Sequence, residues 1–239
     1  MKKYALITGA SGGIGFAIAK KLAFEGYSLY LQYHRGTKQM KELCEALSSY
    51  EVIPIQADLS KKDGSKQLWD QIQHDIDAVV YAAGKSVFGL VTDVEEKVIE
   101  EMTCLSVTTM YKLMNYALPT MIRKRSGSIV VISSIWGQTG ASCEVLYSML
   151  KGAQNTYVKA LAKELAPSFV RVNAVAPGAV ETTMMNMFSD KEKQDIAEEI
   201  PMGRLGNPEE IANVTAFLLS DSSSYITGQI IGVNGGWYC

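Results

Sequence analysis

Short apolar runs alternate along this chain with longer segments in which apolar positions recur every three or four residues. The short runs are Lys3–Thr8, Ser28–Tyr33, Val52–Gln56, Ala78–Ala83, Ser128–Ser133, Arg171–Ala176 and Gln229–Val233. They carry few polar interruptions, as strands of a parallel sheet do when helices cover both faces. The segments of helical period cover about Gly13–Glu25, Lys38–Ser49, Lys61–Gln73, Glu95–Lys124, Val145–Ala166 and Pro208–Leu219. Asn207 followed by Pro208, Glu209 and Glu210 has the make-up of a helix start. Strand–helix alternation repeated this often predicts βαβ units and an α/β fold, a doubly wound parallel sheet of about seven strands flanked by helices. No internal repeat or linker divides the chain, so residues 1–239 are expected to form a single domain. The stretch around 183–205 breaks the alternation, is rich in Met and charge, and lies beyond a strand end, where a mobile substrate lid would sit.

Composition narrows the function classes. Hydrophobic residues make up 47% and charged residues 20%, which permits a large core. A formal net charge of −2 speaks against a nucleic-acid partner, which needs a clustered positive field. No apolar run is long enough to span a bilayer, and Thr8-Gly9 ends the first one before it could serve as a leader. The expected location is the cytoplasm, with no membrane partner. Cys44, Cys104, Cys143 and Cys239 are scattered and read as reduced thiols. With only His34 and His74, no metal is expected in the chemistry.

The first strand runs into Thr8-Gly9-Ala10-Ser11-Gly12-Gly13-Ile14-Gly15 and then a helix. Glycines at 9, 13 and 15 allow a tight turn and close backbone approach to a pyrophosphate, which the helix N-terminus would hold with free N–H groups. This order of strand, glycine turn and helix makes the expected domain a Rossmann-type dinucleotide-binding catalytic one. The second strand ends at Gln32-Tyr33-His34-Arg35, where an NAD site usually has an acid for the ribose 2′-OH. Tyr33 takes that position, His34 follows, and Arg35 suits a 2′-phosphate, so NADP(H) is the expected cofactor. Asp58, before Leu59, is placed either to meet the adenine edge or to cap the next helix.

Tyr147 and Lys151 stand at i and i+4, on one face if the segment is helical. A phenol near its ordinary pKa is a poor acid and a poor base at neutral pH. A neighbouring ammonium and a cationic nicotinamide ring would both lower that pKa and fit the phenol for acid–base work on a carbonyl. Ser134, at the end of the fifth strand, would donate to the carbonyl oxygen as it gains charge.

These motifs together resemble the short-chain dehydrogenase/reductase family over essentially the whole chain. Thr8–Gly15 is similar to its glycine motif, and Ser134, Tyr147 and Lys151 to its catalytic Ser, Tyr and Lys, with the family's spacing of thirteen between Ser and Tyr. Asn173–Gly178 is similar to its N-x-V-x-P-G segment, and Tyr225–Gln229 and Val233–Gly236 to its ending. The resemblance places Ala83, Gly84, Pro177, Gly178, Val180 and Thr182 with the glycine loop around the cofactor, the last two at the nicotinamide carboxamide. It implies a homotetramer. Two positions depart from the family. Tyr81-Ala82-Ala83-Gly84 stands where N-N-A-G is common, and Ser106 stands where a fourth catalytic member, an Asn that helps hold a relay water, is usual.

Within the family, Ile200–Arg204 and Pro208–Ala212 resemble bacterial 3-oxoacyl-carrier-protein reductases. Arg125 matches one basic position of their acyl-carrier-protein docking surface, and Ser168 replaces the second. Ser134–Gly137, Gly140–Tyr147 and Gly236–Cys239 resemble more narrowly the elongation factor P 5-aminopentanone reductases of Gram-positive bacteria. The resemblance implies reduction of a ketone on a lysine of elongation factor P. Glu144 would then meet the substrate's ammonium, or is a plain surface carboxylate. A non-enzymatic dinucleotide sensor on the same fold is the competing class, and it has no use for Ser134, Tyr147 and Lys151 together.

Overall fold

The computed structural model describes residues 2–239, Met187 by its backbone alone. Seven parallel strands, β1 Lys3–Thr8, β2 Tyr27–Tyr33, β3 Val52–Gln56, β4 Ala78–Tyr81, β5 Gly127–Ile132, β6 Val170–Pro177 and β7 Ile230–Val233, form one sheet in the order 3-2-1-4-5-6-7. The helices are α1 Gly13–Phe24, α2 Thr37–Ala46, α3 Gly64–Trp69, α4 Glu96–Thr103, α5 Thr109–Lys124, the short α6 Trp136–Thr139, α7 Val145–Leu165, α8 Asp190–Glu199 and α9 Pro208–Leu219.

Alternation within each strand accounts for the continuous apolar runs. Leu6 packs with Val79, Ile129 and the α5 and α7 side chains Met114 and Val158 on one face. Ala5 and Ile7 join Leu29, Val130, Ile18 of α1 and Ile211 of α9 on the other. With helices on both faces, each successive residue has an apolar neighbour layer. Pro54 lies in β3, an edge strand, where its missing N–H leaves no gap in the ladder.

Two expected helices differ from the pattern. The segment over Lys61–Gln73 is helical only at Gly64–Trp69. Asp58 Oδ1 accepts from the Ser60 amide at 3.0 Å and the Ser60 hydroxyl at 2.6 Å, so a side-chain turn holds the start of this segment away from the helix. That excludes Asp58 as the cap of α3, whose preceding residue is Asp63. The long segment over Glu95–Lys124 is two helices joined by a π-helical turn, Cys104–Thr108, centred on Ser106. Such one-residue expansions re-aim side chains and are common beside functional sites. The stretch over 183–205 contains a 3-10 turn, Thr183–Met187, and α8, which opens with a capping box between Ser189 and Glu192. No helix among the described residues is long and apolar enough to cross a membrane.

Strand order reverses between β1 and β4, so the loops after them part and leave a crevice at the C-terminal edge of the sheet. The α1 helix, which begins at that crevice, is backed by α9, and α9 is fastened by a β6 residue. Arg171 donates to the Leu218 carbonyl at 2.6 Å, the Ser220 carbonyl at 3.0 Å and the Ser223 hydroxyl at 2.8 Å. A guanidinium is thereby set against the negative end of the helix. Replacing Arg171 with Met should lower unfolding stability by about 2–3 kcal/mol in equilibrium denaturation, since it removes the charge-assisted hydrogen bonds at the end of α9 and leaves the Leu219 carbonyl without its side-chain donor.

Candidate active site

The C-terminal ends of β1, β4, β5 and β6 open onto a cavity of about 550 Å³. One end is the glycine loop. Gly9 has φ of +67°, and a Cβ there would lie 2.8 Å from the Ala83 backbone. A Cβ on Gly15 would lie 2.2 Å from the Gly9 carbonyl oxygen, and one on Gly13 would lie 2.8 Å from Cγ2 of Thr182. The loop therefore packs against itself, the end of β4 and the segment after β6, with room for no side chain at these positions. Thr8 Oγ1 accepts from the Ala82 and Ala83 amides, both at 3.1 Å. Gln32 accepts the Gly9 amide at 2.8 Å and donates to the Ala57 carbonyl at 2.8 Å. Thr8 and Gln32 thus lock the ends of β1, β2, β3 and β4 together. The signal for Gln32 was a lone amide inside an otherwise apolar strand.

Beyond the loop the wall holds Ser11, Ile14, His34, Arg35, Asp58 and Leu59. Arg35 is exposed and has no acidic partner among the described residues. Asp58 is held by Ser60, faces His34 Nδ1 at 3.5 Å, and its carboxyl lies below the usual range, the Ser60 hydrogen bonds outweighing its burial. Tyr33 does not face this wall. Its ring is half-buried against the apolar layer that α1 and α2 cover, because side chains alternate along β2 and Gln32 takes the cavity side. Gly84, Pro177, Gly178, Val180 and Thr182 complete the wall on the other side. A close-packed glycine turn, a helix N-terminus and an unpaired cation fit the phosphates of a dinucleotide carrying a 2′-phosphate. Among the described residues no three His, Cys, Asp or Glu side chains lie close enough to hold a metal.

Ser134, Tyr147 and Lys151 line the same cavity. Ser134 follows β5 and accepts the Trp136 amide at 3.2 Å. Its neighbour Ser133 donates to Asn155 at 2.6 Å, and Asn155 donates to the Gly137 carbonyl at 3.0 Å, which pins the β5–α6 turn to α7. Tyr147 and Lys151 lie one turn apart on α7, and the ammonium is 5.5 Å from the phenol ring centre. Lys151 is buried and donates to the Ile132 carbonyl at 2.7 Å and to Gln154 Oε1 at 3.1 Å.

The expected lowering of the phenol by the ammonium is not what the free protein holds. Burial pushes the Tyr147 pKa up to about 12, the Ser134 hydroxyl opposes this, and the Glu144 carboxylate adds to it. Burial lowers Lys151 to about 8. Burial is the largest cause of both shifts, and it favours the neutral form of each group. A protonated phenol is nonetheless the form that gives a proton to an alkoxide.

Ser106 is buried in the π-helical turn and does not line the cavity. Its backbone carbonyl, not its hydroxyl, reaches the site, by accepting from Gln154 Nε2 at 2.9 Å. The far end of the cavity is apolar, with Phe88 and Phe188 edge to face at 6.5 Å and Trp136 and Trp237 at 5.2 Å. Glu144 hydrogen-bonds the Ser86 hydroxyl on this wall.

A family model described as enoyl-(acyl carrier protein) reductase matches residues 9–238. The chain is 58% identical, over all of both chains, to the uncharacterized oxidoreductase YmfI of Bacillus subtilis (strain 168). It is 39% identical to the 3-oxoacyl-[acyl-carrier-protein] reductase FabG of Aquifex aeolicus (strain VF5), over 99% of this chain and 97% of that one. The crystal structure of YwfH, an NADPH dependent reductase involved in bacilysin biosynthesis, superposes with a TM-score of 0.93 at 26% identity, over 100% of this chain and 99% of that one. With the glycine loop, the Ser, Tyr and Lys around one cavity and these full-length matches, the chain belongs to the short-chain dehydrogenase/reductase family of oxidoreductases.

Proposed function

We propose that this oxidoreductase uses NADPH to reduce a ketone to a secondary alcohol, and that the ketone is the 5-aminopentanone group on a lysine of elongation factor P. The carrying observation is that Ser134, Tyr147 and Lys151 share one cavity with the glycine loop. Arg35 at the end of β2, where no carboxylate stands, supports NADPH over NADH, and the structurally similar YwfH is named NADPH dependent.

The reduced dinucleotide, when bound along the glycine loop, supplies the hydride. Ser134 orients the carbonyl by donating to its oxygen. Tyr147 transfers its phenolic proton to that oxygen as the carbon–oxygen double bond becomes a single bond, and the phenolate is reprotonated from solvent. Lys151 places a positive charge beside the phenolate so formed and would bind the nicotinamide ribose of a bound cofactor. Ser106 acts through its carbonyl. The segment over 183–205, which sets Met184, Met185 and Phe188 on the cavity, serves as the lid that excludes water.

Glu144 supports the aminoketone substrate, because a carboxylate on an apolar wall attracts an ammonium that an acyl chain lacks. The second reading, a 3-oxoacyl-carrier-protein reductase, is favoured by the FabG relatives. Against it, Arg125 is turned to local work. It lies 4.6 Å over the Phe169 ring and donates to the Pro167 carbonyl at 3.1 Å. We extend the proposal to a homotetramer, since α5 and α7 leave Tyr111, Val145 and Met149 exposed.

Incubation with NADPH and 5-aminopentanone-modified elongation factor P should add two hydrogens to the modified lysine, read by mass spectrometry, faster than a 3-oxoacyl carrier protein is reduced. The reverse order favours the second reading, and reduction of neither removes the proposal. Arg35→Ala should raise KM for NADPH about tenfold and leave KM for NADH nearly unchanged, the loss of one charge-assisted phosphate contact of about 1.4 kcal/mol. The pH dependence follows from Lys151. Its depressed value means the ammonium is present below about pH 8 and lost above it, while Tyr147 keeps its proton to about 12. A profile of kcat/KM for NADPH, which reports groups of the free protein, should be flat near neutrality and fall on the alkaline side of about pH 8.

A further inference from the structure

We propose that Gln154 is a positioning residue that fixes the Lys151 ammonium by a direct side-chain amide bridge to the backbone carbonyl of Ser106. The proposal rests on the catalytic reading of Lys151 above. Gln154 is completely buried on α7, three residues beyond Lys151, where the two side chains are helix neighbours. Its Oε1 accepts from the ammonium at 3.1 Å, and its Nε2 donates to the Ser106 carbonyl at 2.9 Å. Only one amide orientation satisfies both contacts. Flipping it would set N–H against N–H and oxygen against oxygen.

An ammonium has three N–H donors. The Ile132 carbonyl takes one at 2.7 Å and Gln154 takes another. The third is left for the cavity beside Gly84, where a Cβ would stand 3.6 Å from Nζ. With two donors anchored in the protein interior, the remaining one has a fixed direction. A bridging water in the place of Gln154 would exchange and reorient, whereas a buried side chain does neither. The Ser106 carbonyl is presented by the π-helical turn Cys104–Thr108, so that turn, Gln154 and Lys151 form one brace between the two long helical segments.

The titratable groups that face the ammonium or its cavity are few. Tyr147 and Glu144 come from α7 and the residue before it, Lys85 and Asp58 from the loops after β4 and β3, and His34 and Arg35 from the loop after β2. Glu101 of α4 also lines the cavity and is paired with Lys61 at 3.3 Å. None of these is bonded to the Lys151 ammonium, whose two partners are neutral.

The test uses two variants. Gln154→Met keeps the volume and removes both hydrogen bonds, and Gln154→Glu places a carboxylate against the ammonium. The Lys151 titration is read in the free full-length protein by NMR of 13C-labelled lysine, with Lys151→Arg identifying the signal. The Met variant should titrate lower and the Glu variant higher than the parent, each by about one pH unit. The alkaline limb of kcat/KM for NADPH should move with them. A brace of purely structural value would lower activity equally at every pH and leave the Lys151 titration in place, and that result overturns the proposal. If the Met variant does not fold, the direction of the Glu variant decides alone. Lack of ketone reduction by the parent protein would remove the catalytic reading instead, while the NMR titration would still decide whether Gln154 holds the ammonium.

Discussion

A lysine ammonium kept at 5% exposure with no carboxylate bonded to it is the constraint on which the rest of the site depends. Removing an ammonium from water is costly unless hydrogen-bond acceptors replace that water. Here a strand-end carbonyl and one side-chain amide supply two acceptors and leave the charge only partly compensated. The lysine consequently sits near pKa 8, close to losing its proton, while the half-buried phenol one helical turn away holds its own tightly. One low-dielectric cavity thus displaces the two neighbouring groups in opposite directions, each toward its neutral form.

The fold supplies this arrangement through backbone fixtures more than through packing alone. Strand ends that would otherwise fray are joined by Thr8 and Gln32 beneath the glycine loop, and the turn carrying Ser134 is pinned to α7 by Ser133 and Asn155. The glycines are then needed for want of space: a methyl group at 15 would collide with the loop's own carbonyl. Rigid positioning of this kind matters because a displacement of about 1 Å at reacting atoms costs orders of magnitude in rate.

The seven strands and most of the helices were legible because both sheet faces are covered, which keeps the strand runs almost continuously apolar. Ser134, Tyr147, Lys151 and the glycine loop were legible because their spacing is local. What the chain did not display is how side chains far apart in sequence meet. Tyr33 was assigned to the cofactor wall by its place at the strand end, but strand alternation turns it into the apolar layer and brings Gln32 to the cavity. Ser106 was assigned from the family's position for a catalytic Asn, with its hydroxyl in the relay. A π-helical turn there hides its hydroxyl and offers its carbonyl to Gln154, forty-eight residues on, a pairing that no periodicity encodes. The effect of burial on Tyr147 was likewise invisible, since a sequence names the neighbouring ammonium but not the dielectric around it.

In the proposed reaction the proton reaching the carbonyl oxygen comes from the Tyr147 phenol, in the cavity that would hold the dinucleotide. The measurement that bears on this proton transfer most directly compares Tyr147→Phe with the parent protein in two assays, ketone-dependent NADPH oxidation and NADPH binding by fluorescence titration. Oxidation should fall by at least about a thousandfold, the scale of a general acid together with its hydrogen bond, with binding changed by less than a few fold. Oxidation retained near the parent rate in the phenylalanine variant would contradict the assignment of the proton to Tyr147.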